Sequence, residues 1–190
     1  MALAVLGLGS NRGDSLRILE SAIRSLEEML REPRRASLYR SDPLYITDQP
    51  PFLNTALAGF CDGEPAALLE AVHRIEAAHG RDRRHERRWG ERTLDIDILL
   101  FGEQALCLPS PRRGEAPLLE IPHPRLKERR FALEPLLELL PEARDPVTGE
   151  RLASVLAALP PQGIYLFPDG NHGRQFFGSC GTSGPPGQYP

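Results

Sequence analysis

Lysine is almost missing from this chain. Of its 23 basic residues only Lys127 is a lysine, and the remaining 22 are arginines. Cysteine is scarce too: Cys61, Cys107 and Cys180 are too few and too scattered for a disulfide framework or a CxxC metal site. They read as free thiols in a reducing compartment. No apolar run approaches membrane-spanning length. The apolar start, residues 2–8, has no basic flank and runs into Ser10-Asn11-Arg12, so it reads as a buried strand and not as a signal peptide. A cytoplasmic protein is expected. An excess of positive charge is also lacking: 26 acids leave a net charge of −3. That balance argues against a general nucleic-acid coat or a membrane-surface protein, although a local basic patch could still hold a polyphosphate. Neither nucleic acid nor membrane is expected as a partner, and no obligate protein partner is evident.

What is present describes an ordinary globular chain. At 190 residues, 41% hydrophobic and 26% charged, it suits one domain with a real core. A strand over 2–8 precedes a helix over 15–31, capped by Asp14 or Ser15. Leu16, Leu19, Ile23, Leu26 and Leu30 line one face of that helix, and Pro33 stops it. A strand over 37–40, a loop over 41–51 and a strand over 52–60 follow. A helix opens at Pro65, with Leu68, Leu69, Val72 and Ile75 inward. After the polar segment 80–92 comes a strand over 93–101. A looser stretch reaches Ile121-Pro-His-Pro124, and helices are expected over 130–140 and 152–158. The spacing is not that of regular βαβ units, so the fold expected is an α+β sandwich, a mainly antiparallel sheet with helices packed on its faces. From residue 160 the composition shifts: seven glycines, six prolines and five aromatics occupy 31 positions. The division expected is therefore a domain over 1–159 and an appended tail over 160–190, whose removal should leave activity largely unchanged.

Asp95 and Asp97 form the sharpest chemical pair. At i and i+2 on a strand their side chains leave one face, with Cα atoms roughly 6.5 Å apart. Such carboxylates either lie on a solvated strand face or share a cation, and Mg²⁺ takes a few carboxylate oxygens plus substrate phosphates. Just before them stand Arg81, Arg83, Arg84, Arg87, Arg88 and Arg92, six arginines in twelve residues, with Gly80, Gly90 and the only tryptophan, Trp89. A glycine-hinged loop of this kind suits a lid over a polyphosphate, where arginine offers a rigid bidentate fork; an RNA-binding loop would look similar. Gly7-Leu-Gly-Ser-Asn-Arg-Gly13 has the wrong spacing for a dinucleotide fingerprint and reads as a tight turn before a capped helix. His123, stiffened by two prolines, could donate to a phosphate, and Asn54 could meet a heterocycle edge with a donor and an acceptor.

These segments resemble 6-hydroxymethyl-7,8-dihydropterin pyrophosphokinases. The resemblance rests on Leu8-Gly-Ser-Asn11, Tyr39-Arg-Ser-Asp-Pro43, Asp48-Gln-Pro-Pro-Phe-Leu-Asn54, Arg74-Ile-Glu76, Gly80-Arg81, Arg88-Trp-Gly-Glu-Arg-Thr-Leu-Asp-Ile-Asp-Ile98, Ile121-Pro-His-Pro124 and Arg129-Arg-Phe131, in family order over about 2–158. It implies a ferredoxin-like fold and transfer of pyrophosphate from ATP to the pterin hydroxymethyl group, releasing AMP, in folate biosynthesis. It further implies that Asp95 and Asp97 bind two Mg²⁺ ions and act in catalysis with Arg81 and Arg92. Asn54, with the backbone around Ser41 and Leu44, would hold the pterin between Phe52 and Phe131 while Trp89 helps seal the lid. Arg83, Arg88, His123 and Arg129 would grip ATP.

Overall fold

The computed structural model describes residues 1–82, 89–110, 114 and 116–168. Its first element, β1 (Ala2–Ser10), leads through a short turn into α1 (Ser15–Glu27). Asp14 caps that helix, its carboxylate accepting the Arg17 N–H at 3.2 Å. Leu19, Ala22, Ile23 and Leu26 are its buried stripe. The helix ends four residues earlier than its apolar pattern suggests, because residues 31–35 turn back as β2 (Arg31–Arg35). Pro33 is tolerated there because β2 pairs with one neighbour only, and the pairing register shifts between Arg31 and Arg34, around the proline.

The chain continues through β3 (Tyr39–Ser41), β4 (Phe52–Cys61), α2 (Pro65–Ala78) and β5 (Asp95–Phe101). A small hairpin, β6 (Leu106–Leu108) with β7 (Leu119–Ile121), occupies the stretch that sequence left irregular. Then come α3 (Arg130–Leu139), α4 (Leu152–Ala158) and β8 (Ile164–Leu166). The main sheet is antiparallel in the order β5-β1-β4-β3-β8, with β2 also on β4. β1 lies between β5 and the central β4, and pairs with β4 from Ala2 opposite Cys61 to Ser10 opposite Leu53.

Strand alternation divides the core in two. Ala4, Leu6 and Leu8 of β1, Leu57 of β4 and Ile96 and Ile98 of β5 pack with α1 and α2. Val5, Ala56, Ala58 and Leu99 pack on the other face with Leu133, Leu136 and Leu152 of α3 and α4. The molecule is thus the expected ferredoxin-like α+β sandwich. One expectation needs correction. Residues 160–167, assigned by composition to an appended tail, belong to the folded unit: β8 pairs with β3, and the Phe167 N–H donates to the Leu38 carbonyl at 2.7 Å. The composition misleads here because the two prolines and Gly163 shape the approach to the strand and lie outside it.

Candidate active site

The period of two on β5 sends Asp95 and Asp97 to the face opposite Ile96 and Ile98, beside Leu99. Gly7 and Gly9 of β1 are their register partners, and Gly9 also lies opposite Asn54 on β4. These glycines sit inside the strand, not in a turn, and form a bare floor. A Cβ on Gly7 would lie 3.2 Å from the Leu99 side chain, and one on Gly9 would lie 3.1 Å from Asn54 Oδ1. A cavity of about 180 Å³ opens over this floor, with both aspartates at one end and Asn54 at the other. The glycine run that failed as a nucleotide fingerprint therefore has a different use: it makes room.

At the acidic end, Arg81 donates to Asp95 Oδ1 at 2.5 Å and is also bound by Glu76. Glu76 lies on α2, only 1% exposed, and its Oε1 also accepts the Ile96 N–H at 2.9 Å. One carboxylate thus anchors both the arginine and the strand carrying the two aspartates. Sequence reasoning quoted it in Arg74-Ile-Glu76 but gave it no role, although Leu68, Val72 and Glu76 are spaced four apart, which puts the acid on the apolar stripe. Arg129 reaches the same end from the start of α3, its Nη1 3.3 Å from Asp97 Oδ2 and its guanidinium 5.5 Å from the Phe131 ring centroid. The Arg129 Nε is buried and, among the described residues, donates to no acceptor. Burial, then the neighbouring charge of Asp95, push the Asp97 carboxyl up to about 7 against the pull of Arg129 and Arg81.

His123 stands just outside the cavity, its N–H bound to the Leu99 carbonyl at 3.0 Å. Its Nδ1 accepts the Arg125 N–H at 3.2 Å, so in the neutral ring Nε2 carries the proton and points at Asp97 Oδ2, 3.7 Å away. Burial, then Arg129, push this histidine down to about 4, so the contact is a neutral N–H beside a carboxylate.

At the other end, Asn54 is 4% exposed and donates from Nδ2 to Ser41 Oγ at 2.9 Å. Leu44, Phe52, Trp89 and Phe131 supply apolar and aromatic walls. Arg92 lines the cavity as well, and its backbone is exchanged with Asn11: Arg92 N–H to Asn11 Oδ1 at 2.7 Å, and Asn11 N–H to the Arg92 carbonyl at 3.0 Å. Asn11 Nδ2 then donates to Gln49 Oε1 at 3.1 Å, and Gln49 Nε2 donates to the Trp89 carbonyl at 2.9 Å. Trp89 itself adopts a φ of 65°, which favours glycine in most settings. Its ring centroid lies 4.4 Å from that of Tyr45, and the Arg125 guanidinium stands 4.7 Å from Tyr45 and 4.5 Å from Trp89. Arg125 also hydrogen-bonds the Tyr45 hydroxyl. Asn11 and Gln49 stand in the motifs quoted above without a role of their own, and Tyr45 and Arg125 carry no local signal; the meeting of three loops gives all four their place.

The structure thus gathers Ser41, Leu44, Phe52, Asn54, Arg81, Trp89, Arg92, Asp95, Asp97, Arg129 and Phe131 around one cavity, with His123 behind Asp97. Arg83 and Arg88 lie outside the described residues. Among the described residues no group of three or more His, Cys, Asp or Glu could hold a metal ion by itself. The donor set at Asp95 and Asp97 fits a hard cation that completes its shell with substrate oxygens. No helix among the described residues is long and apolar enough to cross a membrane.

The chain is similar to several known proteins. Residues 5–141 match the family model of 7,8-dihydro-6-hydroxymethylpterin-pyrophosphokinase. A 2-amino-4-hydroxy-6-hydroxymethyldihydropteridine pyrophosphokinase from Pseudomonas aeruginosa is 42% identical over 166 residues, which cover 86% of this chain and 95% of the relative. The protein of the same name from Methylorubrum extorquens is 42% identical over 167 residues, covering 86% and 98%. Among solved structures, a bifunctional HPPK-DHPS from Plasmodium falciparum superposes with a TM-score of 0.64 at 18% identity, covering 83% of this chain and 43% of the larger one.

Proposed function

The chain belongs to the 7,8-dihydro-6-hydroxymethylpterin-pyrophosphokinase family and is an enzyme of folate biosynthesis, and from that premise we propose that it transfers pyrophosphate from ATP to 6-hydroxymethyl-7,8-dihydropterin and releases AMP. The observation that carries this reading is the two-ended cavity: paired carboxylates faced by arginines at one end, and a buried amide between aromatic walls at the other. Few other ligand pairs need both ends at once.

Asn54, oriented by its bond to Ser41, meets the polar edge of the pterin, while Phe52 and Phe131 take its faces and Leu44 borders it. The hydroxymethyl group then points along the glycine floor toward Asp95 and Asp97. Arg81, Arg92 and Arg129 hold the transferred phosphates, and the free Arg129 Nε has a phosphate oxygen as its natural acceptor. Neutral His123 offers its Nε2–H to the same charge. Arg83 and Arg88 are assigned to ATP as well, and Trp89 closes the mouth. Asp95 and Asp97 would hold two Mg²⁺ ions, which when bound neutralise phosphate charge and polarise the phosphorus under attack. The chain's own contribution is positioning and charge, as phosphoryl-group transfer requires. A cytoplasmic setting is proposed with it, in keeping with the free thiols Cys61 and Cys107.

The test is direct. Purified protein with ATP, Mg²⁺ and the pterin alcohol should form AMP, and omission of the pterin or the metal should abolish it. Asp97→Ala should remove turnover with the far-ultraviolet spectrum intact. ADP as product would overturn the assignment.

A further inference from the structure

Taking Arg129 and Asn54 as ligands of ATP and pterin, as proposed above, we infer that residues 160–167 are a strap serving both halves of the active site, and that Gln162 is a positioning residue for Arg129.

Gln162 Oε1 accepts the Arg130 N–H at 2.9 Å, and its Nε2 donates to the Glu128 carbonyl at 2.7 Å. These two backbone groups flank Arg129, so a single carboxamide closes a clamp around it. The clamp falls where the backbone needs one. A 3-10 turn over Leu126–Glu128 gives way to α3 at Arg129, which is extended at φ −121°, ψ 104° and offers no side-chain cap. The first-turn N–H groups of a helix have no partner within it. A glutamine from elsewhere in the chain supplies one of those partners and fixes the neighbouring carbonyl with the same group. A carboxamide can do both, since it carries its donor and its acceptor on separate atoms of one rigid group.

The delivery of Gln162 is equally specific. The Arg130 guanidinium donates to the carbonyls of Leu156 and Leu159 at 3.2 and 3.1 Å, which holds the end of α4 against the start of α3. Past Gln162 the chain turns at Gly163, with φ +55°. A Cβ at that position would lie 2.3 Å from Asp42 Oδ2, and the Gly163 carbonyl accepts the Asp42 N–H at 3.0 Å. The positive φ is what calls for glycine here, since the exposed Asp42 carboxylate can turn aside from a Cβ. Ile164 then pairs with Ser41, the residue whose hydroxyl receives the Asn54 amide. The strap therefore connects the backbone that aims Arg129 with the strand that orients Asn54.

Gln162→Met keeps nearly the length and volume of the side chain and removes both bonds. We expect calorimetry with Mg²⁺ present to show ATP binding weakened roughly ten- to a hundredfold, as for a misplaced ligand, with pterin binding nearly unchanged. Gln162→Glu keeps the acceptor for Arg130 and should fall between. The strap is overturned if the Met variant binds ATP as the wild type does. It is equally overturned if ATP affinity, pterin affinity and melting temperature fall together, the outcome of a merely structural role. A wild type that bound no ATP would overturn the pyrophosphokinase assignment and the strap with it; a Met variant equal to an active wild type overturns the strap alone.

Discussion

The most consequential single residue is Asp97, because its environment opposes its charge. Its folded value of about 7 lies above the ~3.9 of a free aspartate. Between those values the folded chain keeps a proton that the unfolded chain has released, so stability of the ligand-free protein falls as pH rises through that window. Asp97→Asn removes the dependence. At ~pH 8 it should raise the ligand-free melting temperature, by roughly 2–4 °C for each kcal/mol relieved, while eliminating turnover. Thermal scans of both proteins at several pH values check this, and a variant less stable than wild type at high pH would refute it. Arg125 presents the opposite case, a cation placed to stabilise its neighbours. It sits against Tyr45 and Trp89 in a geometry that contributes about 0.5–2 kcal/mol. Arg125→Ala should raise the KM for the pterin several-fold with a smaller change in kcat. Trp89 is the only tryptophan, so its emission should shift to the red and become easier to quench.

Among the elements, β5 and the turn after α3 show two uses of acid, half-buried on the strand and buried in the turn. On β5 the acids are a functional burden. In the turn, Asp145 is structural: its Oδ1 accepts the N–H groups of Val147 and Thr148 at 2.8 and 2.9 Å, and Oδ2 meets Lys127, the lone lysine, at 2.7 Å. Burial alone would raise the Asp145 carboxyl, but the Lys127 bond and the two backbone donors outweigh it and hold it below its ordinary value. The stability it contributes is present above the unfolded pKa of ~3.9 and drains away as pH falls through the lower folded one. Asp145→Asn should cost about 1–3 kcal/mol near neutrality and flatten the acid limb of the stability curve, as urea midpoints against pH would show. At β8, Gly163→Ala should loosen the pairing with β3 and raise the KM for the pterin, because Ser41 lies opposite Ile164. An unchanged KM would detach that strand from the site.

The whole molecule is a sheet held between two helical layers, with the cavity opening on the α3 face where glycines thin the sheet. That construction divides the C-terminal segment into parts of unequal importance. A chain ending at residue 168 should keep wild-type activity and melting temperature. One ending at residue 159 loses Gln162, Gly163 and β8, and should lose most of its activity, contrary to what composition alone suggests. Steady-state assays of the two truncations decide between these outcomes.

Local periodicity determined a good deal before any folding was considered. The alternation of β5 put Asp95 and Asp97 on one face, the leucine spacing of α1 set its buried stripe, and the order of short motifs carried the family resemblance. Such patterns are legible because strand and helix periods are properties of the chain itself. Tertiary structure alone decided which distant groups answer those acids. Arg129 meets Asp97 across 32 positions, Glu76 enters the core beneath Arg81, Asn11 and Gln49 tie the lid, and Gln162 reaches Arg130. Each of these contacts depends on how loops and layers come together. A lone glutamine between two prolines and a glycine has no period to reveal it; only the unpaired amide at the start of α3 gives it a role.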